Sequence, residues 1–179
     1  AGEIPADRAV LATGAHARPL AAALGDRVPL ESERGYHVVI RDPEVRVRTP
    51  VMIGDARTPL TPTAHGLRVA GQVELASLEA EPDWRRAEVL KRLALRLLPG
   101  LPRDLPAERL SLWMGHRPSI ADGLPVIGPS RDCVDVIHAF GHGHVGLAAA
   151  PKTAALVADL LAKRAPVIDP APYSPARFR

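Results

Sequence analysis

The sequence is poor in aromatic side chains and in cysteine, and each shortage removes a class of protein. Phe, Trp and Tyr together make up 3% of the 179 residues. Proteins that bind nucleic acid pair a basic stripe with interleaved aromatics. Here the net charge of +3 comes from Lys and Arg scattered along the chain, so no nucleic-acid partner is expected. Cys133 is the single cysteine. An internal disulfide is therefore impossible, and a reducing compartment, the cytoplasm, is the expected setting. No apolar stretch reaches the roughly 20 residues that cross a bilayer, so no transmembrane segment is expected, and a membrane role would be limited to a peripheral seat on the inner face. No charged-then-apolar leader opens the chain. Its start at Ala1-Gly-Glu, without Met, reads as that of a fragment.

What is present fits a globular chain. Hydrophobic residues make up 46% and charged residues 24%, enough for one substantial core or two smaller lobes. The 19 prolines and 14 glycines argue for many short elements joined by turns.

Arg8 to Thr13 reads as a short buried strand ending at Gly14, followed by a helix from about His16 to Leu24. Further strands are expected at 35–40, 51–54, 67–71, 109–115 and 134–140, with Asp42-Pro43 marking a turn. Strands joined by short turns imply an antiparallel sheet. The clearest helix runs from about Asp83 to Leu98, with Trp84, Ala87, Leu90, Leu93 or Ala94, and Leu97 on one face. Asp83 is its expected cap, and Pro99-Gly100 ends it. From Val145 to about Arg164 the chain is apolar and helical, with Leu147, Leu156, Val157, Leu160 and Leu161 as core candidates. The Pro-rich tail is expected to lie pinned along a surface. The first and last pieces read as parts of one α/β domain, with an α+β lobe inserted between them.

Four patterns bear on chemistry. Phe140-Gly-His-Gly-His-Val-Gly146 joins a strand to a long helix, an arrangement that exposes backbone N–H groups at a helix N-terminus and suits negative charge. A turn that needs glycine for steric reasons alone gives the same pattern. Arg117 precedes Pro118, which fixes the local backbone, and a guanidinium is suited to forked capture of a carboxylate. An exposed hairpin arginine reads the same way. Val10-Leu-Ala-Thr-Gly14 ends a buried strand where open α/β sheets place ligands. His116, His138, His142 and His144 do not make a metal-ligand pattern; no metal is expected, and no nucleophile elbow is present.

Taken in this order, the motifs resemble the C-terminal half of the superfamily of FAD-dependent D-amino-acid dehydrogenases, glycine oxidases and sarcosine oxidases. The resemblance runs from about Arg8 to Phe178. It is carried by Val10–Gly14, Pro29-Leu-Glu-Ser-Glu-Arg-Gly-Tyr36, Leu67–Ala76, Gly115-His-Arg-Pro118 with Asp122-Gly-Leu-Pro-Val-Ile-Gly128, Gly141–Gly146 and the ending Pro170–Arg179. It implies part of an FAD-binding α/β domain plus an antiparallel substrate lobe with a packed helix. The expected divisions are 1–30, 31–120 and 121–179. The Gly-x-Gly-x-x-Gly element that holds the FAD pyrophosphate in this family is absent from these residues, so stably bound FAD is not expected here.

The resemblance implies oxidation of an amino acid, with Arg117 on the substrate carboxylate and His116 and Tyr36 at the pocket. It implies flavin contacts from Thr13, Gly14, Arg34, Gly35, Gly115, Gly141, His142, Gly143, His144, Val145 and Gly146. The expected partners are a small amino-acid substrate, the absent N-terminal half, and other copies through exposed apolar surface. Oxidation of 2-hydroxy acids, sarcosine or glycine, and a catalytically silent binding fragment, stay open as alternatives.

Overall fold

The computed structural model describes residues 2–178. The chain divides into two compact units, one of Ala1–Glu33 with Arg117–Arg179, the other of Arg34–His116.

The first unit is built on β1 (Ala9–Leu11), α1 (Ala17–Ala23, entered through a single 3-10 turn), β7 (Val126–Pro129), β8 (Val136–Phe140) and α3 (Gly146–Leu161). Its three strands lie in the order β1-β8-β7. β1 runs parallel to β8, and β7 antiparallel to it. One core cluster joins Leu11, Ala17, Ala21, Val28, Ile120, Val126 and Phe140. A second packs Leu156 and Val157 of α3 on Ile127 and Ile137. Leu160 and Leu161 pack at its edge as expected, but Leu147 is 93% exposed. Nine residues apart on α3, Leu147 and Leu156 point to opposite faces of the helix, so burying Leu156 leaves Leu147 to water. The tail is pinned: Arg177 donates to Asp122 Oδ2 at 2.8 Å and to the Leu124 carbonyl at 2.7 Å, and Phe178 packs on the first cluster.

The histidine at 138 has a buried partner that its own motif did not reveal. His138 is fully buried, with Nε2 2.9 Å from Asp26 Oδ2, and the same carboxylate oxygen accepts the Arg131 N–H. The pair ties the end of α1 to β8.

The second unit holds β3 (Val51–Ile53), β4 (Thr58–Thr63), β5 (Gly66–Leu75) and α2 (Arg85–Leu97), with most of β2 (Leu30–Ile40) and β6 (Leu110–Ile120). The sheet order is β3-β4-β5-β2-β6, with antiparallel β3–β4 and β4–β5 pairs. β4 is not evident in the sequence because Pro59 and Pro62 deprive it of ladder donors. β3 spans only Thr58–Leu60 of it, so the Pro62 end lies beyond that neighbour. The β4–β5 turn needs glycine: Gly66 has φ +125°, and a Cβ there would lie 2.2 Å from the Ile40 carbonyl oxygen.

Ala87, Leu90 and Ala94 bury the inner face of α2 against Tyr36, Val38, Leu67 and Val69. Trp84 departs from the expected core face. It is 43% exposed and precedes the first helical turn, meeting Tyr36 edge-on with ring centres 6.0 Å apart. Trp84, not the expected Asp83, stands at the N-cap of α2; Asp83 lies one residue before it, and its Oδ1 accepts the Arg85 N–H at 3.2 Å. Among the described residues no helix is long and apolar enough to cross a membrane.

His37 stacks on Trp113 with ring centres 4.7 Å apart, and its buried Nδ1 has no hydrogen-bond partner. Burial, and then the charge of Arg68, lower its pKa from 6.5 to about 4. The unfolded chain therefore takes up a proton near pH 6.5 that the fold refuses until about pH 4. Stability is fully present above that window and falls as pH drops through it. The expected loss in urea melts between pH 7 and pH 4.5 is about 1–2 kcal/mol, after allowing for partial solvent access. His37→Phe should flatten this part of the profile, and an equally steep profile in that variant would contradict the assignment.

Candidate active site

The parallel pairing of Leu11 with His138 ends β1 and β8 at the same edge of the first unit's sheet. Thr13 and Gly14 follow one strand and Gly141 follows the other. This is the carboxyl end of the strands, where α/β sheets receive ligands. Thr13 is exposed, and Gly14 has φ +58° with open space where a Cβ would stand.

The turn from Gly141 to Gly146 combines steric need with exposed amides. Gly141 has φ +85°, and a Cβ there would lie 2.4 Å from Ile120 Cδ1, so the core demands this glycine. Gly143 has φ +55°, and its N–H donates to the Pro118 carbonyl at 2.8 Å. Val145 N–H donates to the His142 carbonyl at 3.1 Å. The bond from Ala149 N–H to the Val145 carbonyl opens the helical ladder of α3. The Gly146, Leu147 and Ala148 amides lie ahead of it, at the positive end of the helix dipole. No acidic residue sits in that first turn. His142 Nε2 lies 2.9 Å from Thr153 Oγ1, and burial lowers the pKa of its ring, so it is neutral at pH 7. His144 and Val145 are exposed. Free amides, positive field, neutral imidazole and exposed apolar surface at Val145 and Leu147 fit a flat ligand that gains negative charge, as a flavin does on reduction.

Arg117 lies beside this turn. The sequence places it after a strand; the structure places it within β6, one residue before the Pro118 carbonyl that Gly143 engages. Its Nη1 is 3.5 Å from Glu33 Oε1. Ser119, two residues along the same face of β6, donates from Oγ to Glu33 Oε2 at 3.0 Å. Glu33 and Ser119 are the residues that sequence reasoning passed over. Glu33 stands in the Pro29–Tyr36 motif and Ser119 directly follows Pro118, but only the meeting of β2 with β6 brings Glu33 to Arg117 and Ser119.

The candidates in the other unit fare differently. Tyr36, expected at the pocket, is 1% exposed. Its hydroxyl donates to Glu74 Oε2 at 2.6 Å and accepts the Asp83 N–H at 3.0 Å. Burial, and then the Glu74 hydrogen bond, raise its pKa. It is a core residue whose polar end is satisfied within its own unit. Arg34, expected at the flavin, is fully buried. Its guanidinium donates to the carbonyls of Ser77, Ala80 and Glu81, so it clamps a loop instead. Gly35 is buried beside them. Gly115 lies under the edge of the Trp113 ring, which would have to shift to admit a Cβ. His116 is half-buried.

Comparison with known proteins matches residues 1–160 to the family of FAD dependent oxidoreductases, DAO. The chain is 52% identical over 177 residues to a D-amino-acid oxidase of Bradyrhizobium diazoefficiens, covering 99% of this chain and 42% of that protein. It is 35% identical to an uncharacterised oxidoreductase of Halorhodospira halophila, covering 81% of it. The crystal structure of glycine oxidase from Geobacillus kaustophilus superposes with a TM-score of 0.80 at 26% identity, over 98% of this chain and 47% of that one. The chain thus spans less than half the length of two of these three relatives, and across that span it belongs to the family of FAD dependent oxidoreductases.

Proposed function

We propose that these residues form the substrate-binding and flavin-covering part of an enzyme that oxidatively deaminates a D-amino acid to a 2-oxo acid. The observation that carries this reading is the hydrogen bond from Gly143 N–H to the Pro118 carbonyl, which seats Arg117 beside the glycine-lined start of α3. The similarity to a D-amino-acid oxidase supports the substrate class.

Arg117 holds the substrate carboxylate and thereby fixes the α-carbon in one place. The Gly146, Leu147 and Ala148 amides, backed by the α3 dipole, favour the negative charge that develops on the ring. The chemistry that bound FAD supplies is acceptance of a hydride from the α-carbon, leaving an imine that water hydrolyses to a 2-oxo acid and ammonia. Hydride leaves the α-carbon only once the amine is neutral, so a substrate that arrives as the ammonium first gives a proton to a neighbouring carboxylate or to solvent. The groove between β1 and α3, of about 480 Å³ and lined by Val10, Ala12, Ala139, Ala154, Val157 and Leu161, receives the rest of the intact protein. Left bare, it favours self-association of the isolated chain, which holds no FAD stably.

The test is the full-length protein. It should carry yellow flavin absorbance and release ammonia and a 2-oxo acid from members of a D-amino-acid panel. Flavin reduction by 2-hydroxy acids without ammonia release would favour the related hydroxy-acid chemistry, and a colourless, inactive protein would favour a silent fragment.

A further inference from the structure

We infer that Glu33 is a specificity-determining residue that receives the substrate's α-ammonium, so that Glu33 and Arg117 together select amino acids over 2-hydroxy acids. The inference rests on the reading of Arg117 as the carboxylate site.

The geometry of the pair points this way. Ion pairs in this chain fall into two groups: Arg109–Glu44 and Arg177–Asp122 close to 2.7 and 2.8 Å, whereas Arg8–Asp135, Arg34–Glu74 and Arg86–Glu74 stand at 3.9, 3.6 and 3.8 Å. Charge-assisted hydrogen bonds favour the shorter lengths. Arg117 to Glu33 is stretched to 3.5 Å, with the two side chains 27% and 26% exposed. The contact is too long to be a strong hydrogen bond and open enough to admit a ligand. Glu33 is nevertheless not loose, because Ser119 Oγ holds its Oε2 at 3.0 Å. That leaves Oε1 as the oxygen turned toward Arg117.

A guanidinium beside an anchored carboxylate is complementary to a zwitterion. An α-amino acid brings one carboxylate and one ammonium on adjacent atoms, and can replace the stretched internal pair with two charge-assisted contacts. A 2-hydroxy acid supplies the carboxylate but only a neutral hydroxyl at the second position. A plain carboxylic acid supplies nothing there and must compete with Glu33 for Arg117. Discrimination then arises from the acid left without its cation.

The test uses the full-length, FAD-loaded protein with D-alanine, D-lactate and propionate, which share one carbon skeleton. Affinities are read from perturbation of the flavin spectrum or by competition, alongside steady-state kinetics. In Glu33→Gln, kcat/KM for D-alanine should fall at least about tenfold, chiefly through KM, as expected for loss of a charge-assisted contact. Propionate should bind as well as before or more tightly, because its competitor for Arg117 is gone. Ser119→Ala, which frees Glu33 without removing it, should shift D-alanine in the same direction by less. Equal weakening of D-alanine and propionate would mean that Glu33 only aims Arg117, and unchanged D-alanine kinetics would mean that it does neither; both overturn the inference. Unchanged propionate affinity in Arg117→Ala is a separate result, which removes the carboxylate assignment itself.

Discussion

Replacing Arg117 by alanine in the FAD-loaded protein is expected to raise KM for amino-acid substrates by about 10²–10³-fold, the cost of losing a forked, charge-assisted carboxylate contact. The flavin should remain bound. Arg117 reaches the glycine turn only through its neighbour's backbone carbonyl, and an alanine at 117 leaves that carbonyl in place. Glu33, with its Oε2 still held by Ser119, would then face the incoming carboxylate alone, so repulsion adds to the lost attraction. The internal Arg117–Glu33 pair is partly exposed and worth no more than about 1 kcal/mol to folding, so the variant should melt close to the wild type. Arg117→Lys keeps the charge but not the fork and should fall between the two. Steady-state kinetics with the ratio of flavin to protein absorbance separates these effects. An unchanged KM would detach Arg117 from the substrate.

The parts of this arrangement that were legible in the sequence are those set by local chemistry. The glycine turn, the long apolar helix after it and the β1 strand each announce themselves through composition and period. The order of motifs supplied the family. Glu33 stayed hidden because a glutamate on a strand looks like any solvated residue until the strand beside it is known. Tyr36 and Arg34 misled for the opposite reason. Their neighbourhood in the sequence pointed to the cofactor, while their side chains turn inward to Glu74 and to the carbonyls of residues 77–81. Leu147 is a misreading of the period itself, which sets it on the face of α3 opposite Leu156. The misses at Glu33, Tyr36 and Arg34 concern contacts between residues far apart in the chain, which no local pattern encodes.

Arg34 carries the largest expected effect on stability. It is fully buried in the second unit, and its two terminal nitrogens serve the carbonyls of Ser77, Ala80 and Glu81, with Glu74 Oε2 3.6 Å away. These carbonyls belong to the loop between β5 and α2, which has no sheet or helix to satisfy it. Arg34→Met keeps much of the volume and removes every donor. The loop then faces the core with unpaired acceptors, and Glu74 retains only the Tyr36 hydroxyl and a distant Arg86 Nε at 3.8 Å. Breaking a buried charged network from one side costs about 3–5 kcal/mol, far more than the net worth of the bonds themselves, because desolvated groups are left behind. For a chain of this size that corresponds to a fall of about 10 °C in Tm. The loss should be local before it is global: residues 76–82 should become the first site of proteolytic cleavage, while the β4–β5 hairpin, held by its own ladder, stays protected from hydrogen exchange. Arg34→Lys can restore one or two of the three carbonyl contacts and should recover part of the stability. An unchanged urea midpoint in Arg34→Met would show that the clamp is dispensable, and would return Arg34 to the list of residues free to serve the flavin.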